Sequence, residues 1–202
     1  GMNTLVICPT YNEKMNITIS TISGIILWTF MEYAMHYWNG HKMKGKTLFS
    51  KEHLAHHVNP DYFTPNWLKV LMSMPPLIAL GYTGSWLFGT ANGVSLTIGF
   101  LLGYVAYEVL HYRMHAYPPK NFYSRWVRKH HFYHHYEDPN KNHGILMSFW
   151  DVIFRTRIKT GLVKVPKNRA MDWLLNPRTG EIRNEFKKDY VLKERIKRIS
   201  EE

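Results

Sequence analysis

Ten of the twelve histidines fall into four spaced groups. His36 and His41 stand in HYWNGH, and His53, His56 and His57 in HLAHH. His111 and His115 stand in HYRMH, and His131, His134 and His135 in HFYHH. Residues at i, i+3 and i+4 lie on one face of a helix, so each HxxHH triad projects three imidazoles the same way and HxxxH pairs two. Clustering so many imidazoles without a cation would leave many donors and acceptors to satisfy beside apolar surface. Metal binding is the chemistry this pattern fits, and ten ligands exceed what one ion can hold, so two ions are expected. Cys8 is the only cysteine, which rules out a thiolate site or an internal disulfide. Imidazole suits iron, zinc, copper and nickel alike, so spacing does not choose the metal. His130 and His143 fall outside the ligand spacing and stay out of the set.

Two carboxylates accompany the histidines. Glu32 precedes His36 by four residues and Glu108 precedes His111 by three. Both sit in apolar stretches where an uncompensated charge is costly. The role expected of each is to accept the outer N–H of a ligand imidazole and fix its tautomer.

The elements that must position these groups are long and apolar. A helix crossing a bilayer core needs about 20 apolar residues. Three segments qualify: about Ile17 to Trp38, Trp67 to Phe88 and Gly93 to Tyr112. Pro75 and Pro76 should kink or split the second, and Gly40 reads as the stop of the first. The net charge of +11 is uneven. It is −1 over residues 1–39, +3 over 40–70, 0 over 71–115 and +9 over 116–202. The positive-inside rule places 39–66 and 113–202 on the cytoplasmic side, which brings all four histidine groups to one membrane face. The basic tail from Arg155 onward is expected to lie along an anionic membrane surface as short helices. A nucleic-acid partner would leave the apolar runs unexplained, so none is expected.

The pattern HxxxxH, HxxHH, HxxxH, HxxHH resembles the fatty acid hydroxylase and sterol desaturase superfamily, and within it the fatty acid 2-hydroxylases. GYVAYEVLHYRMH (Gly103 to His115), RKHHFYHH and FWDVIFRT (Phe149 to Thr156) carry the likeness, which covers about residues 25–156. The resemblance implies an all-α fold: an integral membrane helical bundle of three to four spans, with a cytosolic helical cap holding a histidine-rich dimetal site. It implies two iron ions, which zinc can replace in a purified sample, held by the ten histidines named above. O2 would be the co-substrate, and a membrane lipid or fatty acyl chain would be hydroxylated, with C2 as the candidate position. Tyr37, Trp38, Tyr107, Tyr112 and Tyr133 are placed to line an acyl tunnel. No cytochrome-b5-like haem segment is present in these residues, so a separate electron donor is expected, cytochrome b5-like or ferredoxin-like with its reductase. The membrane would be the endoplasmic reticulum or a bacterial inner membrane, with the metal site and the C-terminus cytoplasmic. Carotenoid or sterol hydroxylation or desaturation, and non-catalytic metal binding, are the alternatives.

Three regions follow. Residues 17–156 form the hydroxylase-like domain and 157–202 a basic cytoplasmic tail. Residues 1–16 form a separate N-terminal segment, in which TLVICPTYNEKMNI (Thr4 to Ile17) resembles the opening of family-2 glycosyltransferases. The rest of that fold and its Asp-x-Asp motif are absent from the sequence, so a remnant without activity is expected.

Overall fold

The computed structural model describes residues 11–193, with side chains from residue 17 onward. The glycosyltransferase-like stretch falls outside the described residues up to position 10, and outside the described side chains up to position 16. The chain is mostly helical. Helix α1 spans Tyr11–Ala34 and runs directly into a π-helix over Met35–Lys42. Then come α2 (Leu48–Val58), α3 (Asn66–Phe88), α4 (Thr90–Ala116), α5 (Phe122–Tyr136) and the short α6 (Phe149–Ile153). Two strands close the described chain, β1 (Val163–Pro166) and β2 (Tyr190–Lys193), paired in parallel with Val163 opposite Tyr190.

The chain divides into two compact units. One comprises residues up to Thr29 together with Asn66–Val105. Its helices approach closely because small residues remove the side chains between them. A Cβ on Gly99 would lie 1.9 Å from the Thr21 carbonyl oxygen, and one on Gly24 2.1 Å from that of Leu96. Trp28 packs edge-on against Phe100, with ring centroids 5.1 Å apart. The outer faces are apolar and uncovered: Ile19, Ile22, Ile26, Trp67, Ile78 and Trp86 are each more than half exposed. Such faces suit lipid rather than water.

Among the described residues, Ile17–Lys42 and Thr90–Ala116 are long and apolar enough to cross a membrane. The third expected span is present as α3, but prolines, glycines, Tyr82, Thr83 and Ser85 dilute its apolar run below that standard. Pro75 and Pro76 do not split it; α3 is one helix of 23 residues.

The other unit comprises Phe30–Pro65 and the chain from Ala106 onward. Its core joins Met114 of α4, Val127 and Phe132 of α5, Ile145, and Val163, Val165, Met171, Trp173, Leu174 and Tyr190 of the C-terminal segment. That segment is therefore not a run of short helices on a surface. Alternation in VKVP buries Val163 and Val165 and exposes Lys164, the period-two pattern of a strand. Asn121 caps α5, accepting from the Ser124 amide while Ser124 bonds back to the Asn121 amide. Buried Arg128 donates to the carbonyls of Arg113 and Tyr117 where α4 ends.

Candidate metal centre

All ten expected histidines converge, and they converge as two groups of five. His36, His41, His53, His57 and His134 form the first; His56, His111, His115, His131 and His135 form the second. Within each group the ligand atoms lie within 4.8 Å of one another. Every member of the second group is buried, as are His36 and His134 of the first.

The division corrects the reading of the HxxHH triads. In α2, His53 and His57 turn to the first group and His56 to the second; in α5, His131 and His135 turn to the second and His134 to the first. At 3.6 residues per turn, i and i+4 are about 40° apart, while i+3 lies about 60° to the other side of i. Each triad therefore straddles two centres instead of facing one. On α4, the HxxxH pair stays together in the second group.

HYWNGH needs a different helix. Five residues of α-helix would leave His36 and His41 about 140° apart. The π-helix, wound on i→i+5 hydrogen bonds, brings them to one face, with ring centroids 5.5 Å apart and planes 30° from parallel. Gly40 lies inside this helix and does not stop it. Its value is space: a Cβ there would stand 2.8 Å from Cδ2 of His53. The turn leading into α2 locks onto the same place, with the Ser50 hydroxyl donating to the Gly40 carbonyl (2.7 Å) and Thr47 capping α2 at the Ser50 amide (3.0 Å).

The outer ring nitrogens fix the tautomers. His36 donates from Nδ1 to the His143 carbonyl (2.6 Å), and His134 from Nδ1 to the Lys141 carbonyl (2.8 Å). A carbonyl only accepts, so both protons sit on Nδ1 and both Nε2 atoms carry lone pairs. Those two Nε2 atoms lie 2.9 Å apart. His134 Nε2 also lies 2.9 Å from His41 Nε2 and 3.1 Å from His57 Nε2. Two lone pairs facing at this range repel unless a cation takes both. A proton is a poor candidate, because burial with neighbouring imidazoles pushes His134 well below the ordinary histidine range. The same causes hold His53, His57, His131 and His135 low. Neutral imidazole is the form a metal needs. A metal about 2.1 Å from each nitrogen would place neighbouring ligands of an octahedron about 3.0 Å apart, matching the spacings in the first group. In the second group, His115 and His131 bring their Nε2 atoms to 3.0 Å, and neither nitrogen of buried His135 has a hydrogen-bond partner among the described residues. His56 donates from Nδ1 to the Tyr62 carbonyl (2.7 Å).

Glu32 does not receive an imidazole N–H. Its buried carboxylate accepts the amides of Ile145 and Leu146, so it acts on the loop whose carbonyls orient His36 and His134. Glu108 sits half-buried on α4, three residues before His111. Sequence reasoning passed over Asp151, which is fully buried. It accepts the amides of His143 and Gly144 (both 2.8 Å) and the Thr156 hydroxyl (2.7 Å), and pairs with His130 Nε2 at 3.2 Å. Burial alone would raise its pKa; bonds from His130, Thr156 and the Gly144 amide outweigh that and hold the carboxyl below the usual range. Its only sequence signal was FWDVIFRT, a motif without a stated role. His130 is thus the partner of Asp151. His143 borders the first group, its ring 4.9 Å from that of His134 and 5.3 Å from that of His36, and burial lowers it to about 4.

The C-terminal segment supports the second group through the main chain. Trp173 donates from Nε1 to the carbonyls of Met114 (3.2 Å) and His115 (3.0 Å). Tyr136 donates to the Arg169 carbonyl, and Lys129 pairs with Asp189 at 3.0 Å.

A family model described as fatty acid hydroxylase matches residues 21–156. The dihydroceramide fatty acyl 2-hydroxylase FAH1 of Arabidopsis thaliana is 33% identical over 148 residues, covering 67% of this chain and 59% of that protein. The ceramide very long chain fatty acid hydroxylase scs7 of Schizosaccharomyces pombe is 32% identical over 67% of this chain and 41% of its own length. The fatty acid 2-hydroxylase of Homo sapiens is 31% identical over 66% and 38% respectively. The chain therefore spans between 38% and 59% of the length of these relatives. Among solved structures, full length scs7p, in which only the hydroxylase domain is visible, superposes with a TM-score of 0.60 at 22% identity. The match covers 74% of this chain and 62% of that one, and it supports the fold. With ten histidines gathered in two groups and two helices fit to cross a membrane, the chain belongs to the fatty acid hydroxylase family, as a histidine-rich membrane protein whose relatives are fatty acyl 2-hydroxylases.

Proposed function

We propose that this chain is the catalytic part of a lipid hydroxylase that inserts one oxygen atom of O2 into a C–H bond of a fatty acyl chain, with C2 as the position. The two five-histidine groups would each hold one iron ion, which zinc can replace in a purified sample. The observation that carries this reading is the meeting of His36 and His134 through Nε2 at 2.9 Å while both Nδ1 protons are committed to carbonyls. Iron so held would supply O2 activation and attack on an unactivated carbon; the second oxygen atom leaves as water, with two electrons and two protons drawn from a donor. A separate cytochrome b5-like or ferredoxin-like protein with its reductase fits the donor role.

The residues of the chain do the rest. Backbone carbonyls aim the rings of His36, His134 and His56 inward, while burial keeps His134 neutral and bulk water away. Tyr107 stacks on His111 at 5.6 Å and Tyr37 packs against His143 at 4.9 Å, which puts aromatic walls beside both groups for an acyl chain. Glu108 would support His111 from one turn before it. Residues 17–156 would form the hydroxylase domain, crossing the membrane three or four times, with the basic segment 157–202 and the histidine groups on the cytoplasmic side of a bacterial inner or endoplasmic-reticulum membrane.

The test is expression in a host with compatible electron donors, followed by lipid mass spectrometry. A fatty acyl species heavier by one oxygen atom is expected, with the label retained from 18O-labelled O2. Its absence with every donor supplied, in protein that carries two metals per chain, would sink the hydroxylase reading.

A further inference from the structure

Residues 141–146 form a loop that links the first histidine group to two buried carboxylates. Two of its carbonyls, those of Lys141 and His143, receive the outer N–H groups of His134 and His36. Both of those rings belong to the first histidine group. The loop itself is held by two buried carboxylates, one just beyond it in sequence and one 113 residues before Ile145. Asp151 takes the amides of His143 and Gly144, and Glu32 takes those of Ile145 and Leu146.

The path of the loop leaves little freedom. Asn142 has φ +59°, a left-handed conformation that asparagine tolerates better than most residues, and its amide bonds the Thr156 carbonyl at 3.0 Å. A Cβ on Gly144 would lie 2.2 Å from the Met147 carbonyl oxygen and 3.0 Å from Oδ2 of Asp151. Thr156 closes the arrangement from beyond, donating to Asp151 and meeting the Tyr33 hydroxyl at 3.0 Å. Four amides therefore converge on two carboxylates, and the carbonyls of Lys141 and His143 are left to the imidazoles.

We infer that Asp151 is a positioning residue for one metal only: through the 141–146 loop it sets the aim of His36 and His134, and so governs occupancy of the first histidine group while leaving the second untouched. This rests on the reading that both groups hold metal. Partners of ligand imidazoles set metal affinity by about 10–100-fold. In Asp151→Asn, one acceptor oxygen becomes an NH2 facing an amide N–H, so the loop loses a bond and meets a repulsion while side-chain volume is kept.

The experiment counts metal per chain in detergent-purified full chain, loaded anaerobically with ferrous iron or, as a redox-silent probe, with zinc. Wild type should hold two. Asp151→Asn should hold one at metal concentrations that saturate wild type, with about 10–100-fold weaker binding of the other. Combination with a ligand change identifies which metal is lost. Asp151→Asn with His53→Ala should remain near one, because both changes strike the first group. Asp151→Asn with His131→Ala should fall toward none. Thr156→Val, which removes one bond to Asp151 and leaves its carboxylate, should give a smaller loss at the same position. Two metals bound with wild-type affinity in Asp151→Asn would overturn the inference. So would parallel loss of both metals, which would mark Asp151 as a general fold residue, or the reverse outcome in the paired variants. Wild-type protein that takes up no metal would overturn the underlying reading along with this inference.

Discussion

In the first histidine group two of five rings pass their outer N–H to carbonyls of a single loop, and that loop is tied down by Asp151 and Glu32. In the second group His56 passes its Nδ1–H to the Tyr62 carbonyl. Its other support comes from packing: Phe132 and Tyr107 lie against its rings, and Trp173 holds the end of α4 by the main chain. Both groups offer five imidazoles, but one is aimed by hydrogen bonds and the other by a hydrophobic core. The first should respond to single polar substitutions. The second should respond to changes in packing and in the C-terminal segment that a ligand-centred view would overlook.

The most damaging test of that contrast is His134→Ala. Its Nε2 lies within 3.1 Å of three other ligand nitrogens. The first metal should be lost and the hydroxylated lipid should disappear from the mass spectrum, while metal analysis still finds the second metal. Gly40→Ala comes next, because the added methyl drives into the His53 ring at 2.8 Å. We expect first-group metal affinity to fall about 10–100-fold, read by competition with a chelator, with second-group affinity unchanged. Glu32→Gln keeps one acceptor oxygen and loses the other. A loss of about 1–2 kcal/mol is expected in thermal unfolding of the metal-loaded protein, together with easier release of the first metal. Trp173→Phe should cost about 1–2 kcal/mol, because it removes one donor and part of a buried ring system. Its effect should fall on the second metal, and an equal effect on both would erase the distinction between the groups.

The histidines were legible because imidazole is scarce in apolar segments and three of the four spacings repeat α-helical geometry. Their partition was not. Whether His56 joins His53 and His57 depends on an arc of about 100° on one helix, and only the facing helices decide which side of it meets which centre. The π-helix was hidden for a related reason: HYWNGH reads equally as the frayed end of an α-helix, and Gly40 reads as its stop. Glu32 was correctly singled out as a buried acid, yet its partners are amides 113 residues and more away, beyond any local pattern. Asp151 lay within a recognised motif, but of its partners only Thr156 shares that motif; the His143 and Gly144 amides and the His130 ring lie outside it. The C-terminal segment misled through its charge. Its lysines and arginines are numerous, but what the core takes from it is the alternation in VKVP and scattered apolar residues such as Met171, Trp173, Leu174, Phe186 and Tyr190.

The π-helix over Met35–Lys42 sets helical regularity against function. Deleting one residue between His36 and His41 would restore i, i+4 spacing, and an ordinary α-helix could then present both rings on one face without the wider winding. The helix would gain regular hydrogen bonds. Everything after the deletion would rotate by about 100°, carrying Gly40 away from His53 and its carbonyl away from the Ser50 hydroxyl. A change that improves the helix as a helix would thus dismantle the neighbour it was shaped to admit. In this segment the number of residues is itself a constraint, and insertions or deletions should be tolerated far less than substitutions.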